Sequence, residues 1–119
     1  MESIGKLGLL SPKAIDALSQ KLQALSDPTR LQIVQCLLWQ DRSNAKETTV
    51  GELGKLIPGL AVSKSRLSFH LKELRLAGLI ISERRGQHIY CRLNAAALTE
   101  VATSIGLEPS SPPVASDDW

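Results

Sequence analysis

The chain has 119 residues, 43% of them hydrophobic, and a formal net charge of +2, values that are ordinary for one soluble globular domain with a modest core. It contains no run of about 18 apolar residues that could span a membrane, and its amino terminus lacks the basic segment and the long apolar centre of a secretion signal. These features exclude a membrane-spanning protein and predict a cytoplasmic one.

Capping signals predict three helices in the first half of the chain. Two of them start with a polar residue, Ser11 or Asp27, that stands directly before a proline. Such a residue accepts a hydrogen bond from an unpaired amide, and proline suits the first helical position. The third helix starts with a capping box, in which Thr49 and Glu52 satisfy each other's backbone amides. The helices are expected at residues 12–25, 28–39 and 50–57, with a polar loop at 40–48.

A fourth helix is predicted at residues 64–76. Ser63 can cap its start, and Gly78 can supply the left-handed residue that ends it. Its apolar face is formed by leucines at helical spacing, Leu67, Leu71 and Leu74. Its other faces carry basic and hydroxyl side chains, so this polar surface is expected to point away from the core.

After Gly78 the apolar period changes from about four residues to two, which predicts a β-hairpin. Its strands are expected at 79–84 and 88–93, joined by a tight turn at 85–87. One face of the hairpin is therefore expected to pack on the core. The alternation divides the second strand into core-facing residues, Ile89, Cys91 and Leu93, and outward-facing residues, His88, Tyr90 and Arg92.

The carboxyl-terminal part is predicted to add one helix and a tail. Asn94 can cap a helix at 95–105, which is rich in alanine and leucine. The tail at 107–119 is acidic and rich in proline and serine, a composition typical of disorder. The chain is therefore expected to divide into an N-terminal arm at 1–10, one domain at 11–106 and this tail. The predicted fold is mainly α with a small β-hairpin, a winged helix-turn-helix of about five helices and a two-stranded antiparallel wing.

Positive charge is concentrated on the fourth helix and the hairpin. Residues 61–92 contain seven basic and two acidic side chains, a net charge of +5, whereas the rest of the chain carries −3. A basic segment on a nearly neutral body is the electrostatic footprint of a phosphate-binding face. A helix-turn-helix inserts its second helix into a major groove, and a hairpin beside it can contact phosphates or a minor groove. These features predict binding of double-stranded DNA.

The side chains expected to contact DNA lie at the start of the fourth helix and at the tip of the hairpin. Lysine and arginine can donate to guanine, serine can donate or accept, and Phe69 can touch a thymine methyl group. The hairpin residues are expected to contact phosphates. The candidate DNA-binding residues are Ser63, Lys64, Ser65, Arg66, Ser68, Phe69, His70, Lys72, Arg84, Arg85 and Gln87.

A second function fits the same predicted fold. A three-helix core with a hairpin also serves as a protein–protein interaction module, and a basic surface can simply be a solvated one. An enzyme is not expected, because no Ser/His/Asp, Cys/His or paired-carboxylate arrangement stands out. No glycine-rich phosphate loop is present either, so no cofactor is expected.

Four segments of the chain carry a family resemblance. They are ALSDPTRLQI at 24–33, VGEL at 50–53, VSKSRLSFHLKELRLAGLI at 62–80 and GQHIY at 86–90. In this order they resemble the ArsR/SmtB family of bacterial repressors, over roughly residues 15–105. The resemblance implies a homodimer formed through the first and last helices. It also implies that the dimer represses an operator, expected to be an inverted repeat, until an inducer that the sequence does not identify releases it.

The metal sites that the resemblance implies lack their ligands here. One family site uses paired cysteines of the third helix, but residues 50–55 contain neither cysteine nor histidine. Another uses carboxylates and histidines of the last helix, where residues 94–105 offer only Glu100. Because soft metal ions need thiolate or imidazole ligands, no metal site is expected. His70 and His88 have no second ligand at useful spacing, and each is expected to be structural or to face DNA.

Cys36 and Cys91 leave one further alternative open, a repressor that senses oxidants or persulfides through its thiols. Cys36 lies toward the polar side of its helix and is expected to be partly accessible. Cys91 is expected to face the core, and the last helix, where the resemblance implies a partner cysteine, has none. The simpler interpretation is a pair of reduced thiols, as is usual in the cytosol.

Overall fold

The helices and the hairpin follow one another along the chain in the predicted order. The computed structural model describes residues 3–4, 9–43, 47–57 and 64–106. The predicted cap Ser63 and the predicted tail lie outside these residues, as does most of the predicted arm. In chain order the described elements are β1 (Ser3–Ile4), β2 (Leu9–Leu10), α1 (Pro12–Leu25), α2 (Pro28–Arg42), β3 (Thr48–Thr49), α3 (Val50–Leu56), α4 (Lys64–Leu76), β4 (Ile80–Arg85), β5 (His88–Leu93) and α5 (Ala95–Ser104).

The starts of α1, α2 and α3 are capped by the residues that the sequence indicates. The Ser11 hydroxyl and the Asp27 carboxylate each accept a hydrogen bond from the amide three residues later, at 3.1 and 3.0 Å. At α3 the Thr49 hydroxyl accepts from the Glu52 amide (3.1 Å), and the Glu52 carboxylate accepts from the Thr49 amide (3.4 Å). Each cap satisfies a donor that the helix leaves unpaired, a contribution of about 1 kcal/mol.

α2 runs farther than predicted and ends at Arg42. The Ser43 amide closes the helix by donating to the carbonyls of Trp39 (3.0 Å) and Gln40 (3.2 Å). Gln40, in the last turn of the helix, is buried although it is polar. The expectation of a loop from residue 40 is therefore wrong for residues 40–42, because polarity alone does not distinguish the last turn of a helix from a loop.

The wing is an antiparallel hairpin of β4 and β5. Ile80 pairs with Leu93 at its base, and Gly86 in its turn has a φ of +63°, a conformation that costs glycine no steric strain. A third strand, β3, also pairs with β5, placing Thr48 opposite Cys91 and giving the strand order β3-β5-β4. The fold class is as predicted, but the two-stranded wing is the outer part of a three-stranded sheet.

The core lies where α1, α2 and α4 meet the base of this sheet. Cys91 and Leu93 are buried, as expected. The expectation that Ile89 also faces the core is wrong, because Ile89 borders an open cleft near the tip of the wing and is 42% exposed. Within the described ranges, no helix is both long and apolar enough to cross a membrane. The largest fully buried side chains are Ile33, Leu37, Leu53, Leu74, Leu79 and Cys91.

Candidate nucleic-acid interface

α4 is the second helix of the helix-turn-helix, and it is open to solvent along one side. Its predicted leucine face packs on α1, α2 and β4. Because residues three and four positions apart share a helix face, burial of the leucines turns the polar side chains outward together. We call the exposed candidate residues of this helix the α4 surface: Lys64, Ser65, Arg66, Ser68, Phe69 and Lys72.

Phe69 is a large apolar side chain on this otherwise polar surface. It is 54% exposed, so it adds little to the core of the isolated chain. Its ring packs edge-on against His70, with centroids 5.7 Å apart and planes at 62°. An exposed ring held in one orientation can make the apolar contact that a thymine methyl group offers in the major groove.

A cleft of about 540 Å³ lies where the start of α4, the first turns of α3 and the wing come together. Lys64 and Ser68 line it on the side of α4, and Gln87 and His88 line it on the side of the wing. Polar groups on both walls can contact one phosphate strand that runs along the cleft. His88 is not among the eleven candidate DNA-binding residues, although its outward position in β5 already left open that it faces DNA.

The two arginines at the tip of the wing have different surroundings. Arg85 Nη1 and Nη2 donate to the two Glu47 carboxylate oxygens at 3.1 and 2.8 Å, and Nη2 also donates to Glu83 at 2.8 Å. The guanidinium lies 4.8 Å from the centre of the Tyr90 ring. Hydrogen bonds to Glu83 and Glu47 raise the pKa of Arg85. The hydrogen bond between Arg85 and Glu83 also lowers the pKa of Glu83. Arg84 instead donates to a backbone carbonyl of the turn, at 3.4 Å.

Comparison with known proteins agrees with this geometry. A helix-turn-helix domain model matches residues 25–83, from the end of α1 into β4. An ArsR-like transcriptional regulator from Rhodococcus sp. RHA1 superposes with a TM-score of 0.61 at 26% identity, over 78% of this chain and 79% of that one. The transcriptional repressor SdpR of Bacillus subtilis strain 168 is 35% identical over 78 residues, which are 66% of this chain and 77% of SdpR. The chain belongs to the ArsR family.

A second solved structure matches most of the domain. NolR from Sinorhizobium fredii superposes with a TM-score of 0.60 at 27% identity, over 81% of this chain and 90% of NolR. As an ArsR-family winged helix-turn-helix protein, the chain is a DNA-binding transcription regulator, as its sequence predicts.

His70 differs from the other candidates on α4, because its ring turns away from the α4 surface. Its side chain is only 12% exposed, and Nδ1 lies 3.5 Å from Arg30 Nη1 and 3.9 Å from Asp27 Oδ2. Arg30 Nε in turn donates to the Ala24 carbonyl at 2.9 Å. The fold thus brings six candidates of this ArsR-family helix onto one surface and places His70 against the junction of α1 and α2.

The two thiols are free, and both are shielded from solvent to some degree. Cys36 is half-buried on α2, as expected, and Cys91 is buried on β5. Burial raises the pKa of Cys36, and burial also raises the pKa of Cys91 against the opposing effect of Arg75. Because the thiolate is the reactive form, both shifts reduce the reactive fraction at neutral pH. Among the residues that the structure describes, no three His, Cys, Asp or Glu side chains group closely enough to hold a metal ion.

Proposed function

We propose that this chain is a dimeric repressor that reads an operator with the α4 surface and holds its backbone with the wing. The α4 surface carries the proposal, since one exposed helix face offers basic, hydroxyl and aromatic groups that suit base edges in a major groove. The likeness to SdpR, a transcriptional repressor, supports repression as the outcome of binding.

The proposed interface combines two kinds of contact, those to bases and those to phosphates. Side chains in the early turns of α4 face the groove floor in a helix-turn-helix complex and read bases. Side chains at the rim of the helix and on the wing reach phosphates and set register without reading sequence. The proposed base-reading residues are Ser65, Arg66, Ser68 and Phe69. The proposed phosphate contacts are Ser63, Lys64, Lys72, Arg84, Arg85 and Gln87.

Apolar surface on α1 and at the end of α5 supports a two-fold dimer. Ile15 and Leu22 of α1 are 50% and 40% exposed, and Ile105 after α5 is exposed as well. In a symmetric dimer the same patch on each protomer covers its counterpart. The two copies of α4 would then meet half-sites about 34 Å apart, which makes the operator an inverted repeat.

The decisive experiment is genomic. Full-length protein is mixed with sheared DNA from its own genome, and the retained fragments are sequenced. A few loci are expected, each with an inverted repeat whose half-sites are separated by about one helical turn. Affinity for them should fall by about 10³ or more between about 50 and 200 mM salt, as phosphate contacts release counterions. Salt-insensitive binding, or no fragment enriched over bulk DNA, would instead support a protein–protein interaction module.

Release of the operator by an inducer belongs to the same proposal, on the strength of the family resemblance. The raised pKa of Cys36 and Cys91 does not favour thiols as the sensor. Mild peroxide or a persulfide donor should therefore leave the operator complex of the wild-type protein intact. Release that disappears in Cys36→Ser would establish the thiol-sensing alternative.

A further inference from the structure

Asp27, Arg30 and His70 form a polar cluster where α1, α2 and α4 meet. Asp27 caps α2, and its Oδ2 accepts from the Arg30 amide at 3.0 Å. The Arg30 guanidinium reaches backward to the Ala24 carbonyl near the end of α1, at 2.9 Å, and forward to His70 Nδ1 in the middle of α4, at 3.5 Å. A single side chain therefore links three helices.

The chemistry of Arg30 defines how the His70 ring is held. A guanidinium only donates hydrogen bonds, so its contact with His70 Nδ1 is a hydrogen bond when the ring carries its proton on Nε2. Asp27 Oδ2 lies 3.9 Å from the same nitrogen and supplies the negative charge that balances the guanidinium. The hydrogen bond from the Arg30 amide is the main cause that lowers the pKa of Asp27, against the opposing effect of burial.

This cluster can constrain the rotation of α4 about its own axis in addition to the packing of its leucines. Leu67, Leu71 and Leu74 pack α4 against the core, and the contact between Arg30 and His70 adds a polar contact beside this leucine face. A hydrogen bond is directional, and it weakens steeply when its geometry is lost. A helix with its side chains is about 10–12 Å across, so a rotation of about 10° moves a surface atom by about 1 Å. A shift of that size disrupts a hydrogen bond to a base edge.

We propose that His70 is a positioning residue, which fixes the rotation of α4 through Arg30 and Asp27 and thereby sets the sequence preference of the α4 surface. The inference rests on the proposed function of that surface. His70 acts through its neighbours, because its ring is turned inward while the adjacent Phe69 ring packs against it and faces outward. The role differs from the direct DNA contact that the sequence indicates for His70.

The test compares sequence preference with overall affinity. Binding sites are first selected from a random duplex library with wild-type, full-length protein, and a scrambled duplex serves as the reference. His70→Leu keeps the approximate volume and removes the acceptor, whereas His70→Asn keeps an acceptor near the position of Nδ1. Arg30→Met removes the guanidinium. Arg42→Met is the matched control, because it makes the same change in shape and charge near the other end of α2.

His70→Leu and Arg30→Met should each reduce the ratio of selected to scrambled affinity by about tenfold, the usual effect of spoiling one base pair's readout. His70→Asn should keep the ratio. Arg42→Met should keep it too, because a loss of charge on the distant end of α2 weakens both duplexes alike. A merely structural role would lower the melting temperature without changing the ratio in the folded fraction.

Each other outcome has a definite meaning. If wild-type protein prefers no duplex, the proposed function of the α4 surface fails, and this inference fails with it. If wild-type protein shows a preference that folded His70→Leu and Arg30→Met retain, only the inference fails. Should His70→Leu not fold, ¹⁵N shifts of the wild-type His70 ring still decide, because a proton on Nδ1 would contradict the bond from Arg30 and overturn the proposal.

Discussion

Glu47 and Arg85, which are 38 positions apart in the sequence, form a bidentate ion pair with N–O distances of 3.1 and 2.8 Å. The pair joins the segment before β3 to the tip of the wing. It also balances the charge of an arginine that the sequence indicates as a DNA contact, and Glu83 adds a second carboxylate to the same guanidinium. A phosphate that approaches Arg85 must therefore compete with carboxylates of the same chain.

Glu47→Gln should strengthen binding to the operator and to random DNA alike. The gain should be at most about fivefold, because water screens an ion pair this exposed and leaves it only a small net contribution. Gel-shift titration of both duplexes at one salt concentration measures it. Asp16→Asn, which removes an acidic group from α1, is the control and should have a smaller effect. A gain confined to the operator would contradict an electrostatic role for Glu47.

Replacing Arg84 and replacing Arg85 should change the salt dependence of DNA affinity to different extents. Arg84→Ala should weaken all duplexes and reduce the slope of log affinity against log salt by about 1, as expected when one phosphate contact is lost. Arg85→Ala should also weaken binding, since it leaves Glu47 and Glu83 uncompensated, but it should change the slope less because Arg85 is already paired. Binding isotherms at several salt concentrations distinguish the two, and equal losses of slope would count against the pairing.

Phe69 and Leu67 are two positions apart on α4, but replacing each by alanine should affect a different property: DNA binding for Phe69 and stability for Leu67. Phe69→Ala should leave the unfolding free energy almost unchanged and lower operator affinity, because its ring is exposed on the α4 surface. Leu67→Ala should cost about 2–5 kcal/mol of stability, because it opens a cavity in the core. Urea unfolding and operator binding measure the two effects. A large loss of stability in Phe69→Ala would show that its ring is packed in solution.

Local signals in the sequence predicted much of the fold. The bounds of α4 and β5 coincide with those expected, because leucine spacing, alternation and the turn glycines Gly78 and Gly86 are all local features. The helix starts at Ser11, Asp27 and Thr49 were likewise identified from a few neighbouring residues.

What the sequence did not predict depends on contacts between distant segments. β3 has 2 residues, too few for alternation to be recognised, and it exists because β5 is beside it. The contact of His70 with Arg30 joins residues 40 positions apart, although helical spacing from Leu67 and Leu74 already places His70 beside the leucine face. The exposure of Ile89 depends on where the cleft opens, which an alternating pattern does not describe.

The proposed dimer predicts that a charge introduced on α1, but not one introduced on the wing, prevents dimerisation. Ile15→Asp should give a monomer at micromolar concentration, because a carboxylate would be buried in an apolar interface without a partner. Ile81→Asp is the matched control, since Ile81 is similarly exposed but lies on the wing. Sedimentation equilibrium measures the mass. The monomeric variant should bind an isolated half-site as well as wild type does but lose its advantage on the full inverted repeat.

Asp27 should contribute a pH-dependent part of the stability. Its pKa in the folded chain is lowered from 3.8, chiefly by the hydrogen bond from the Arg30 amide. A lowered carboxyl pKa stabilises the fold above the unfolded-state value, and this contribution disappears as the pH falls through the folded-state value. Asp27→Asn keeps the capping oxygen and cannot ionise, so wild type should be more stable at pH 7 by about 0.3–1 kcal/mol, the usual value for a charge at a helix start.

That difference between wild type and Asp27→Asn should be constant above about pH 5 and should shrink as the pH falls below 3.8, the unfolded-state value. Thermal and urea unfolding across the acidic range measure it. Asp27→Ala is the comparison that removes the cap itself, and it should be less stable than Asp27→Asn by about 1 kcal/mol at every pH. A difference between wild type and Asp27→Asn that grows toward low pH would mean that the ionised Asp27 destabilises the junction. The Asp27–Arg30–His70 cluster could then not hold α4 in the way proposed.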